Sequence, residues 1–204
     1  VNGVVLPQTT IYLDAVEGGR VEERYVDDGA IMQKGQPILR LSNTDLQLSL
    51  VNQETSVYNL LTQMQIAKNA AQQNTIANLN QMTEVENQLK EAQRIYELNK
   101  TLYAQKAIGS QEYRQSENNY NYQLARLKLT KQLLAQDSVS NRQQLTQAQQ
   151  SFEGSQNALN VMRQKVGDLI VRAPVDGQLT SLDAEVGQNK NKGERLGQID
   201  VLTG

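Results

Sequence analysis

The chain has no cysteine, histidine or tryptophan, one phenylalanine, and three prolines in 204 residues. Without His or Cys there is no Ser-His-Asp or Cys-His catalysis, no His or Cys metal site and no disulfide. The missing cysteine does not by itself fix the redox compartment. Charge is also sparse, at net −2, which shows no bias toward nucleic acid or an anionic membrane surface. No apolar run approaches the roughly 20 residues that span a bilayer, and no signal peptide is present. The opening Val1, rather than Met, reads as the start of an internal fragment whose targeting segment lies elsewhere. Asp27, Asp28, Asp176 and Asp183 fall in turns and make no case for acid–base catalysis.

Proline and glycine are distributed unevenly. Pro7, Pro37 and Pro174 all lie outside residues 42 to 168, and the only glycines inside that stretch are Gly109, Gly154 and Gly167. Almost nothing there interrupts a helix. Gly109 sits near its midpoint, so the stretch predicts a helical hairpin that breaks at Gly109. Gly154, on an exposed face, is either a tolerated surface glycine or a place where a neighbouring helix can approach closely.

Apolar residues on both arms recur at alternating steps of three and four. The outbound arm carries Val57, Leu60, Met64, Ala67 and Ala71, then Met82, Val85, Leu89, Ala92 and Tyr96. The return arm carries Tyr120, Leu124, Leu127 and Leu134, then Leu145, Ala148, Phe152, Ser155, Leu159, Met162 and Val166. This spacing predicts a coiled-coil seam. The steps from Ala71 to Met82 and from Leu134 to Leu145 are both 11, a heptad plus four, which is a stutter that unwinds the supercoil locally. Reflection about the hairpin's midpoint puts the two stutters at the same height, as an antiparallel pair in register requires. The same reflection places Tyr96 near Tyr120 and Tyr103 near Tyr113, as cross-hairpin aromatic layers. The Gln- and Asn-rich faces, such as QNTIANLNQ at 73 to 81, suit either plain solvation or contact between hairpins.

On either side of this stretch the chain repeats itself. Residues 15 to 41 align without a gap on residues 173 to 199 at a constant shift of 158. Gly19, Gly29 and Gly35 fall on Gly177, Gly187 and Gly193, and Val21, Ile38 and Leu41 fall on Leu179, Leu196 and Ile199. Glycine enters positive φ without a Cβ penalty, so the six matched glycines predict the same turns in the same order. A half of about 27 residues buries little apolar surface alone, so the two halves are expected to close into one small β sandwich.

A β half, a long helical hairpin and a second half containing VRAPVDG at 171 to 177, followed by Gly187 and Gly193, resemble the HlyD-type membrane fusion proteins. The resemblance covers nearly the whole chain. It implies an α+β fold, a split lipoyl-like (barrel-sandwich hybrid) domain of residues 11–41 and 170–201. The antiparallel coiled-coil hairpin, 42–169 with its tip at about 103–112, is inserted between the halves. It implies a non-enzymatic periplasmic adaptor for efflux or secretion, anchored to the inner membrane through a segment outside this sequence. Its implied partners are an inner-membrane transporter, an outer-membrane exit duct and further copies of itself in a ring, commonly six-membered, with no cofactor. Arms of about 60 residues at ~1.5 Å per residue imply a reach of roughly 90 Å.

Many members of that family carry at the tip an Arg, a Leu four residues on and a Ser or Thr seven after that, just before a Gln-Glu-Tyr-like start to the second helix. Here Gln111, Glu112 and Tyr113 make that start and Leu102 holds the Leu position, while Leu98 and Gly109 stand at the Arg and hydroxyl positions. Arg94, Lys100 or Lys106 is then left to supply the charge and Ser110 the hydroxyl. Each also has a structural role open to it: Ser110 with Glu112 makes an N-cap followed by an acid in the first turn, Leu102 closes the last layer of the hairpin, and the cations are solvated. Two other functions fit parts of the sequence. A lipoyl or biotinyl carrier domain would need a modified Lys on a tight turn joining the halves, where this chain has its long insertion; a coiled-coil spacer would need no partner at the tip.

Overall fold

A computed structural model of the chain describes Gly3 and residues 9–201. In chain order these form β1 (Thr9–Asp14), β2 (Gly19–Arg24), β3 (Ile31–Met32), β4 (Pro37–Ser42), α1 (Thr44–Ala104), α2 (Ser110–Gly167), β5 (Ile170–Arg172), β6 (Gly177–Leu182), β7 (Asn189–Lys190) and β8 (Arg195–Val201). They divide into two compact units. One takes in the strands with the helix bases, through Tyr58 and from Gly154; the other is Asn59–Glu153.

The β unit contains two four-stranded antiparallel sheets, ordered β1-β8-β6-β3 and β5-β4-β2-β7. Each sheet takes two strands from before the helices and two from after them, so neither half of the sequence completes a sheet alone. The sequence repeat reappears as a repeat of hydrogen bonds. Gly29 N–H donates to Leu179 O (2.6 Å) and Gly187 N–H to Val21 O (2.8 Å); Ala15 N–H donates to Glu194 O (2.8 Å) and Ala173 N–H to Gln36 O (3.0 Å). Each second bond is the first with the halves exchanged, its donor 158 residues later and its acceptor 158 residues earlier. Even the β-bulge between Val21 and Glu23 recurs between Leu179 and Ser181.

Between the sheets lies an apolar core that includes Val21, Met32, Ile38, Leu39 and Leu41 from one half and Leu179, Leu182, Leu196 and Ile199 from the other, with Leu46 and Val166 of the helix bases packed against it. At ~1.5–3 kcal/mol for each fully buried large apolar side chain, this shared core is the main term holding the unit together.

Four of the six matched glycines act as the sequence predicts. Gly29, Gly35, Gly187 and Gly193 have φ of +82° to +90°. Gly19 and Gly177 are not turn residues but the first residues of β2 and β6. They are needed for close approach: a Cβ at Gly19 would sit 2.7 Å from Ser42 O, and one at Gly177 would sit 2.5 Å from Asp200 O.

At the base of α1, Asn43 is the N-cap. Its Oδ1 accepts the Leu46 N–H at 3.1 Å and its Nδ2 donates to Gly18 O at 2.9 Å, tying the helix start to the β2 side of the sandwich. Higher on the two helices, still within the β unit, Val57 and Leu159 are buried and Gln53 donates to Ser155.

The second unit is the antiparallel pair of α1 and α2 arms. Its seam is more polar than the sequence predicts. Val85 and Ala92 are buried, and so are Ser116 and Thr130 of α2. Leu124, expected in the seam, is 41% exposed, and its neighbour Gln123 is the half-buried residue in its place. The reason is register: Ser116, Tyr120, Gln123, Leu127, Thr130 and Leu134 keep the alternating four-three steps, and Leu124 stands one position off that line. Apolarity alone picked the wrong one of two adjacent residues.

The two stutters meet. Ala71 and Met82 of α1 and Leu134 and Leu145 of α2 line one groove of about 500 Å³. Asn78 and Ser138 also line it, and Asn74 donates to Asn141 at 3.3 Å beside it. Where four extra residues shift the seam, side chains no longer interlock and a void opens between the helices.

Candidate functional site

The sequence points to the hairpin tip, and the local structure explains how that turn forms. α1 ends in a Schellman motif: Ala107 N–H donates to Leu102 O (2.8 Å) and Lys106 N–H to Tyr103 O (3.0 Å). The residue that turns the chain is Lys106, at φ 60°, the only non-glycine residue with positive φ among the described residues. Gly109 was expected to be the breaker, but its φ is not in that region and nothing lies within 4 Å of where its Cβ would be. A left-handed residue costs lysine energy that glycine would not incur, and that is why residue type pointed to the wrong position.

Gly109 instead caps α2. Its carbonyl accepts the helix's first backbone bond, from Tyr113 N–H at 3.3 Å, and Ser110 is already the first helical residue. The expected N-cap at Ser110 therefore lies one residue earlier. Ser110 is exposed and Glu112 stands in the first turn, where a carboxylate complements the helix dipole.

The remaining tip residues separate by exposure. Leu98 is 49% exposed on α1. Leu102 and Ile108 are half-buried under the turn, while Lys106 is exposed. Arg94 lies about three helical turns before the end of α1 and is held by its own helix, with Nε and Nη2 donating to the Glu91 carboxylate at 3.1 and 2.5 Å. That pairing, chiefly its hydrogen bond, draws the Glu91 carboxyl below its usual range and raises the Arg94 guanidinium. The structure thus brings Leu102, Lys106, Gly109 and Ser110 together around one turn, with Leu98 one helical turn before Leu102 and Arg94 one turn earlier still.

Beneath the turn runs a ladder of four tyrosines. Ring centroids are 4.9 Å apart for Tyr103 and Tyr113, 5.9 Å for Tyr113 and Tyr96, and 5.1 Å for Tyr96 and Tyr120, all stacked. Both pairs expected from reflection form, and the Tyr96–Tyr113 contact joins them into one stack. A hydrogen bond with Tyr96, with desolvation next, pushes the Tyr113 phenol up to about 12. The ladder fixes how the arms meet just below the tip.

The tip surface is formed by the end of α1, the turn and the start of α2. Among the described residues no cluster of carboxylates could hold a metal, and no helix is long and apolar enough to cross a membrane. What it offers is one exposed leucine, a cationic turn and two helix ends.

Neither a family model nor the sequence of a curated protein matches the chain. Solved structures do match in fold. The chain is similar to the periplasmic adaptor protein EmrA, with TM-score 0.57 and 16% identity over 96% of this chain and 73% of that one. The soluble domain of LipC, a membrane fusion protein of a type I secretion system, matches with TM-score 0.54 and 17% identity, over 96% of this chain and all of that one. MacA from Actinobacillus actinomycetemcomitans matches with TM-score 0.53 and 17% identity over 97% of this chain, which spans half of MacA's length. The chain shares the fold of periplasmic adaptor and membrane fusion proteins: a β unit split by two long antiparallel helices.

Proposed function

We propose that the chain is the hairpin-bearing part of a periplasmic adaptor that links an inner-membrane transporter to an outer-membrane exit duct. The observation that carries this reading is the split itself: two sheets completed only across the whole sequence, with the helical hairpin as the insertion between them, in the fold of EmrA and LipC. In such a protein the β unit holds both hairpin bases and the tip meets a partner. Further copies would complete a ring, with six the expected number, and an anchor would hold the adaptor to the inner membrane.

A carrier-domain reading lacks its central feature. The modified lysine of a carrier stands on a tight turn joining the halves, and here β4 runs into α1 instead.

Under this proposal the duct contact lies within residues 98 to 112, with Leu98 the apolar anchor because it is the more exposed of the two tip leucines. A charge at that position would have to be desolvated in a helix-to-helix contact, which is costly. Leu98→Asp in the whole protein, produced with its transporter and duct, should abolish export and cross-linking from the tip to the duct. Circular dichroism must show unchanged helix content. Leu102→Asp should do the same but with some loss of hairpin stability, since Leu102 also closes the turn. Intact export in a folded Leu98→Asp protein, together with no tip-to-duct cross-link, would leave the hairpin as a spacer.

A further inference from the structure

The chain has eight tyrosines and no cysteine, so no disulfide can bridge its hairpin. Half of those tyrosines form the stack beneath the tip. The stack alternates between the helices in the order Tyr103, Tyr113, Tyr96, Tyr120, so every neighbouring pair in it crosses from α1 to α2. A phenol differs from the other large side chains of the hairpin in one chemical respect. It gives an electron and a proton to a one-electron oxidant and becomes a phenoxyl radical, whose unpaired spin lies partly on the ring carbons ortho to the oxygen. Two such radicals held side by side can join through those carbons.

Tyr103 and Tyr113 are the pair best placed to do so. Their ring centroids are the closest in the stack, 4.9 Å, with planes 6° apart. Tyr103 is 43% exposed and is the last residue but one of α1, and Tyr113 stands at the start of α2. Helix ends open locally more readily than helix interiors. An oxidant can therefore reach the Tyr103 ring, and the ring can turn from face-on to edge-on, as an ortho–ortho bond requires. Tyr96 and Tyr120 are as parallel, at 5.1 Å, but both are half-buried and lie more than two helical turns inside their helices.

We propose that Tyr103 and Tyr113 form an oxidative modification site, at which a dityrosine bond closes the hairpin tip. Each phenol loses one electron and one proton to a peroxidase-type oxidant; hydrogen peroxide takes up both electrons and both protons and leaves as two waters. The two phenoxyl radicals then form one carbon–carbon bond between ortho carbons. The hydrogen on each of those carbons moves to its ring's oxygen, so both phenols are restored. The product ties α1 to α2 between residues ten apart in sequence, a loop closure of the kind a disulfide makes where cysteine is present.

The test treats the dilute chain with hydrogen peroxide and a haem peroxidase. Dityrosine is read by its fluorescence, by loss of two hydrogens from the mass of the monomer, and by peptide mapping. The expected product is a monomer with the bond between Tyr103 and Tyr113, melting at a higher temperature than the untreated chain. Tyr103→Phe and Tyr113→Phe each keep a stacked ring without its phenol; both should fold by circular dichroism and lose the monomer signal. The Tyr58→Phe, Tyr122→Phe double variant removes the two most exposed tyrosines, at 71% and 62%, and should cross-link as the parent does. Mapping on the parent chain decides the site even if a variant fails to fold. Dityrosine found only between separate chains, a bond mapped to Tyr58, Tyr122 or the Tyr96–Tyr120 pair, an undiminished monomer signal in folded Tyr103→Phe, or an unchanged melting temperature would overturn the proposal.

Discussion

Gly187 donates its N–H to the carbonyl of Val21 at 2.8 Å, although 165 residues of chain lie between them. The donor is held at φ +90° in a turn of the second half, and the acceptor is a fully buried core residue of the first. The counterpart bond, Gly29 to Leu179, runs the other way. Each half therefore ends its turn on the other half's strand, and the two fold as one.

Removal of residues 173 to 204 should therefore unfold β2, β3 and β4 as well. β3 pairs only with β6, and β2 and β4 would lose the core residues Leu179, Leu196 and Ile199 that pack against them. Loss of β-sheet signal by circular dichroism and rapid proteolysis around Gly19 and Gly29 are expected. A truncated chain still protected in that region would contradict the interlocked arrangement.

At the tip, Lys106→Gly should raise stability by about 0.5–1 kcal/mol, because glycine occupies the C′ position of a Schellman motif without the left-handed penalty. Gly109→Ser should be neutral or gain a few tenths of a kcal/mol, since serine is at least as good an N-cap. Thermal melts of the hairpin give both signs. A destabilising Lys106→Gly would show that the lysine side chain makes up for its backbone.

The groove at the paired stutters should be the weak point of the second unit. Asn78→Leu places apolar volume there and should stabilise by roughly 1 kcal/mol, from burial of the added methyl groups and a smaller void. Amide hydrogen exchange should also be faster around Thr75 and Ser138 than around Val85 and Ala92. If Asn78→Leu lowers the melting temperature, the groove is better described as a hydrated polar layer than as a packing fault.

The tyrosine ladder carries a pH dependence. The Tyr113 phenol is raised in the folded chain from an ordinary value of 10.0 to about 12, so its neutral form is the one the fold favours. Stability from this group is fully present below pH 10 and is lost as pH rises through about 12. Ultraviolet titration should show a phenol ionising near pH 12, and Tyr113→Phe should remove that step. If all the phenols ionise together near pH 10 in the folded chain, the Tyr96–Tyr113 hydrogen bond is not formed in solution.

What the sequence determined by itself follows from its periodic features. The shift of 158 identified equivalent strands and four of the six expected turns, because a repeated glycine pattern imposes the same backbone conformation wherever it occurs. The helical run, the place of the hairpin and the shared height of the stutters were legible for the same reason: proline and glycine were absent, and the seam had to stay in register across two antiparallel arms. Only the tertiary structure decided which residues do a job their type does not announce. Gly19 and Gly177 are glycine because another strand's carbonyl approaches them, not because the chain turns there. Lys106 takes the left-handed position because the end of α1 demands one and Gly109 is already used as the cap. Gln123 displaces Leu124 because the partner helix sets the register. Periodicity is a property of local sequence; close approach, register and burial depend on what the rest of the chain brings to the same place.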